Sequence, residues 1–133
     1  MGAADTNVLL RLLVEDDVDQ ARAARAFQRA HGPIFVSHVV LAEAAWVLAS
    51  GYGYRREQVR AVIEMLLETE GIDVQGPATV AAALAHHRAS SAGISDCLIL
   101  AIAQRAGAGP LGTFDRKLGK LPDARTIGTT RRR

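Results

Sequence analysis

The sequence predicts an α/β fold with a mostly parallel central sheet flanked by helices. Short apolar segments such as Ile34-Phe35-Val36 and Ile72-Asp73-Val74 alternate with longer helical ones, and parallel strands need such helical crossovers. Helix-start residues follow the strand-like segments directly, and glycines or prolines punctuate the ends of the helical ones.

Each element has its own reason. A short first strand ends at Asp5-Thr6-Asn7, residues that suit a turn into the apolar helix 8–14. Asp16 or Asp17 caps an Ala- and Arg-rich helix that runs to about Ala30 and is stopped by His31-Gly32-Pro33. After the strand Ile34-Phe35-Val36, Ser37 caps a helix that ends at Gly51-Tyr52-Gly53. Residues 55 to 70 carry Val59, Val62, Ile63, Leu66 and Leu67 at helical spacing, an amphipathic helix stopped by Gly71. Following Ile72-Asp73-Val74, Pro77 sits in the first turn of a helix ending near Ala92-Gly93. Ser95 then caps a helix running to Gly107, and Leu111-Gly112-Thr113-Phe114 forms a strand with Asp115 at its end.

Length and composition set the frame. The chain has 133 residues, 49% hydrophobic and 23% charged, which suits one globular domain over residues 1–130 with a basic tail at 131–133. A formal charge of +2 permits a polyanionic partner without requiring one. The one cysteine, Cys97, lies in an apolar run and reads as packing, which suits a reducing, cytoplasmic setting. No apolar run reaches a membrane-spanning length, and the start lacks an export signal pattern.

Four acids stand out. In parallel α/β sheets, sites form outside the carboxyl ends of the strands, where Asp5 and Asp115 fall. Asp96 opens a helix, and Glu43 lies in a helix whose neighbours, Val39 to Leu48, supply no partner charge. Each alone also reads as a cap or a solvated charge, but a cluster of anionic carboxylates would repel unless neutralised. Oxygen ligands without paired Cys or His favour magnesium or manganese over zinc, and His31, His38, His86 and His87 show no zinc-ligand spacing. Carboxylate-held magnesium activates water and stabilises a phosphoryl transition state, so phosphodiester hydrolysis follows. Phosphate-cradling loops, nucleophile elbows and dinucleotide fingerprints are absent.

Basic residues supply candidate substrate contacts. Arg116, Lys117 and Lys120 lie next to Asp115 and suit guiding phosphates, while Arg22, Arg25 and Arg29, and Arg55, Arg56 and Arg60, read as solvated helix faces. Of six aromatics, Trp46, Phe27 and Phe35 read as core, leaving Tyr52 and Tyr54 for stacking on bases.

These residues resemble the PIN-domain ribonucleases, and within them the VapC-type toxins of toxin-antitoxin pairs. The likeness covers nearly the whole chain: Ala4-Asp5-Thr6-Asn7-Val8-Leu9-Leu10-Arg11, Val36-Ser37 with Val40-Leu41-Ala42-Glu43 and Trp46-Val47-Leu48, Ser95-Asp96-Cys97-Leu98-Ile99, and Thr113-Phe114-Asp115-Arg116-Lys117-Leu118. The resemblance implies a three-layer sandwich in which Asp5, Glu43, Asp96 and Asp115 hold Mg2+ or Mn2+, supported by Thr6, Asn7, Ser37 and Thr113. It implies metal-dependent endonucleolytic cleavage of RNA, leaving 5′-phosphate and 3′-hydroxyl ends, together with homodimers and a cognate antitoxin that occludes the site. One departure is Gly93, where many family members carry a further Asp. Two other readings are a catalytically silent PIN-like scaffold binding RNA or protein, and a magnesium-dependent phospho-receiver domain. The receiver reading lacks the acidic pair expected after its first strand.

Overall fold

A computed structural model describes residues 1–128, so the basic tail at 131–133 lies outside the described residues. The chain divides into two compact units, Met1–Pro77 and the part from Ala78 onward.

The first unit contains β1 (Gly2–Ala3), α1 (Thr6–Leu13), α2 (Val18–His31), β2 (Ile34–Val36), α3 (His38–Ser50), α4 (Arg56–Glu68) and β3 (Ile72–Val74). Its strands form a parallel sheet in the order β1-β2-β3, with Gly2 opposite Ile34 and Ile34 opposite Ile72. Polar caps set the helix starts: Asp17 Oδ1 accepts from Gln20 N at 3.0 Å, and Ser37 Oγ from Val40 N at 3.2 Å. Leu9, Ile34, Val36, Leu41 and Leu48 are fully buried and form the heart of this unit.

The second unit contains nearly all of α5 (Pro77–Arg88), then α6 (Ile94–Arg105), β4 (Leu111–Thr113), α7 (Arg116–Gly119) and β5 (Ala124–Thr126). Its two strands are also parallel, with Leu111 opposite Ala124. Val80, Cys97, Leu100 and Ala101 are buried here, and Cys97 is the packing residue its apolar setting suggests.

The α/β class and parallel strands match the sequence reading, while several local expectations need correction. α5 ends at Arg88 rather than near Ala92, and α6 is capped by the backbone of Gly93, not by Ser95, which falls inside its first turn. β4 stops at Thr113, and Phe114 is 72% exposed. α7 and β5 are too short to show a period in the sequence. Trp46, expected in the core, is 69% exposed, and Phe27 is 38% exposed. α3 is apolar nearly all round, so composition cannot reveal which face is turned outward.

Candidate active site

In the first unit, β1 delivers the chain to Asp5, which caps α1 by accepting from Val8 N at 2.9 Å through Oδ1. Asp5 is exposed, and its Oδ2 takes no hydrogen bond among the described residues. The next residue, Thr6, donates its hydroxyl to Glu43 Oε1 at 2.7 Å. Leu41, Ala44, Ala45 and Leu48 form the buried face of α3, which leaves Glu43 exposed on the other flank. Glu43, whose own helix supplies no partner charge, thus has a hydrogen-bond donor in Thr6. Asn7 is exposed, with an amide that bonds to nothing among the described residues. Ser37 is a helix cap at the end of β2, so its support is structural.

In the second unit, Asp96 stands half-buried in the first turn of α6. Burial pushes its carboxyl above the usual aspartate range, and the negative charge of Asp115 adds to the rise. Asp115 caps α7, with Oδ1 accepting from Lys117 N at 2.7 Å and Leu118 N at 3.4 Å. Thr113 Oγ1 accepts from Asp115 N at 3.0 Å and holds that turn. Arg116, Lys117 and Lys120 are exposed and enter no ion pair among the described residues.

The site residues are therefore joined in two sets, Asp5, Thr6 and Glu43 in one unit, Asp96, Thr113 and Asp115 in the other. Among the described residues, no three His, Cys, Asp or Glu side chains are grouped as a ready metal cage. The donor chemistry nonetheless fits a hard divalent cation. Within each unit the candidate donors are carboxylates, the caps leave Asp5 and Asp115 one oxygen each without a partner among the described residues, and the charge of Asp115 that raises the Asp96 carboxyl is what a cation relieves.

Sequence reasoning missed one network here. Arg11 donates from Nε to Gln20 Oε1 at 2.6 Å and from Nη1 to Asp16 Oδ1 at 3.1 Å and Tyr52 Oη at 3.3 Å. Tyr52 Oη in turn donates to Asp16 Oδ2 at 2.7 Å, which makes Tyr52 part of this clamp rather than a free stacking platform. No motif signals it, because its members come from α1, α2 and two separate loops, the one between α1 and α2 and the one between α3 and α4. Two of the histidines, read from the sequence as surface or structural residues, have structural places: His87 is buried, and His86 Nε2 pairs with Gln104 Oε1 at 2.8 Å.

Parallel strands that lead into acid-bearing helix starts define a chain suited to hard-cation chemistry at the strand ends. The sequence matches the PIN domain family over residues 3–124, and the chain belongs to that family. PIN domains are generally nucleases that use divalent metal ions and act on RNA or DNA. A search of curated proteins returned no match. No helix among the described residues is long and apolar enough to cross a membrane.

Proposed function

We propose that this PIN domain is a metal-dependent endoribonuclease of the VapC type, acting in the cytoplasm as the toxin of a toxin-antitoxin pair. The observation that carries the reading is the half-buried Asp96, whose carboxyl is held above its ordinary range by burial and by Asp115. An acid kept partly out of water beside a second acid has no structural benefit of its own, and catalytic sites are where such arrangements recur.

In this reading residues 1–130 work as one domain, and Asp5, Glu43, Asp96 and Asp115 hold Mg2+ or Mn2+. A cation bound there supplies activated water and charge stabilisation for phosphodiester hydrolysis. Thr6 orients Glu43 through its 2.7 Å bond, and Thr113 fixes the turn that presents Asp115. Asn7 offers a free amide beside Asp5, and Ser37 secures the start of the helix that carries Glu43. Arg116, Lys117 and Lys120 meet the RNA backbone next to Asp115. The active form is a homodimer, silenced by a cognate antitoxin.

Cleavage of total cellular RNA by the purified chain, with fragment ends sequenced, tests this. Discrete cuts with 5′-phosphate and 3′-hydroxyl ends, abolished by chelator, are expected. Ends carrying 2′,3′-cyclic phosphates would exclude hydrolysis by metal-activated water. An absence of cuts would favour the silent scaffold, for which Gly93 in place of an acid is the one supporting observation.

A further inference from the structure

The first unit carries a groove between α1 and α2 of about 360 Å³, within the size range of small-ligand sites, and Asp5 stands in its wall. Asn7, Arg11, Gln20, Ala23 and Phe27 line it as well. Away from the Asp5 carboxylate, Arg11 and Gln20 present donors to it. Gln20 Oε1 is taken by Arg11 Nε, so the side chain has its Nε2 hydrogens left to offer. Arg11 spends Nε and Nη1 on Gln20, Asp16 and Tyr52, and Nη2 bonds to nothing among the described residues. The Asn7 amide likewise has no partner among the described residues. The guanidinium is already paired with Asp16 at 3.1 Å and Asp5 adds a negative charge, so the groove does not favour an isolated phosphate. It suits a flat, neutral ring with acceptor atoms on its edge. Phe27 adds an aromatic surface, 38% exposed and steadied by the His31 ring, whose centroid is 4.7 Å away.

From this geometry we infer that the α1–α2 groove is a base-specificity subsite, which takes one unstacked RNA base with a carbonyl edge, guanine or uracil, in preference to adenine. This rests on the ribonuclease reading for its role, but the binding itself does not. The ring packs on Phe27 and the Ala23 wall, and its edge accepts from Arg11 Nη2 and Gln20 Nε2, through O6 and N7 of guanine or a carbonyl oxygen of uracil. Adenine keeps a ring-nitrogen acceptor but sets its amino group, a donor, where the carbonyl would stand, so one of those donors is left unmatched. Asp5 in the groove wall places the bound base beside one of the acids proposed to cut.

The test is an amide-resonance titration of the isotope-labelled full chain, without metal, using 5′-GMP, 5′-UMP and 5′-AMP, alongside cleavage of total RNA. Expected are shifts confined to α1 and α2, with GMP and UMP binding on the order of fivefold or more tighter than AMP. Ala23→Trp fills the groove and should abolish the shifts. Gln20→Glu keeps the bond to Arg11 but replaces a donor by an acceptor, and should move the preference toward AMP, whose amino group donates. Equal binding of all three nucleotides, or no shift in α1 and α2 at millimolar concentration while total RNA is cut, overturns the subsite and leaves the nuclease standing. Selective shifts without any RNA cleavage uphold the subsite and remove the nuclease reading instead.

Discussion

The hydroxyl of Thr6 donates to Glu43 Oε1 at 2.7 Å, tying the first residue of α1 to the exposed flank of α3. The two are 37 residues apart in sequence. Because Glu43 is an exposed carboxylate with no other partner among the described residues, this bond selects one orientation for it. Thr6→Val should lower the RNA cleavage rate on the order of tenfold through misplacement of Glu43, with little change in melting temperature, since the bond is solvent-exposed. Thr6→Ser, which keeps the hydroxyl, should restore most of the rate. Equal rates for native and Thr6→Val would remove Thr6 from the site.

Asp96 links stability to pH with a definite sign. Its folded-state pKa is raised, so the folded chain holds this proton more tightly than the unfolded chain does. Stability from this group is therefore present at low pH and falls as pH climbs from about 3.9, the ordinary aspartate value, through the raised folded value. At neutral pH the buried charge is a net cost. Asp96→Asn should then melt at the native temperature or above it at pH 7, while cleavage is lost. A clear drop in melting temperature for Asp96→Asn would show that the carboxylate is structural.

Asp16 behaves in the opposite way. The hydrogen bond from Tyr52, and after it the charge of Arg11, hold its carboxyl below the ordinary range. Stability from this group is present above the unfolded pKa and is lost as pH falls through the depressed folded value. Tyr52→Phe should lower the melting temperature at pH 7, with the gap from native narrowing in acid. A gap that stays constant with pH would mean that Tyr52 acts by packing alone.

Gly93 has room for a side chain. Its backbone is ordinary at φ −71°, and a Cβ there would meet nothing within 4 Å. Gly93→Asp adds a side-chain cap to α6, which now has none, for a gain of roughly a few tenths of a kcal/mol. A third carboxylate near Asp96 should also tighten manganese binding several-fold. Unchanged manganese affinity would show that residue 93 lies outside the metal site.

The basic residues after Asp115 make a salt-dependent prediction. Lys117 holds Asp115 through its backbone N–H, so its side chain is free to be changed without loss of the cap. Each of Arg116→Ala, Lys117→Ala and Lys120→Ala should weaken RNA binding across sequences and lower the salt slope by about one. An unaltered slope would identify these as solvated charges.

Much of this was legible in the sequence because the caps are chemical. Asp5, Asp17, Ser37 and Asp115 each announce a helix start, and each proves to cap one. Their spacing against short apolar strands gave the fold class and the candidate acids together. Trp46 was illegible because α3 is apolar nearly all round, and packing decides which face is buried. Ser95 misled because a good capping residue lies two positions inside a helix whose start is set by the backbone at Gly93. The Arg11 clamp was hidden because its partners Asp16, Gln20 and Tyr52 share no local pattern.

The most direct test of the proposed site is manganese binding, followed calorimetrically for the native chain and for Asp5→Asn, Glu43→Gln, Asp96→Asn and Asp115→Asn. A single acidic site predicts that the native chain binds at or below millimolar manganese and that each folded variant binds several-fold more weakly or not at all. No native binding at millimolar manganese, or variants that bind like the native chain, would contradict it.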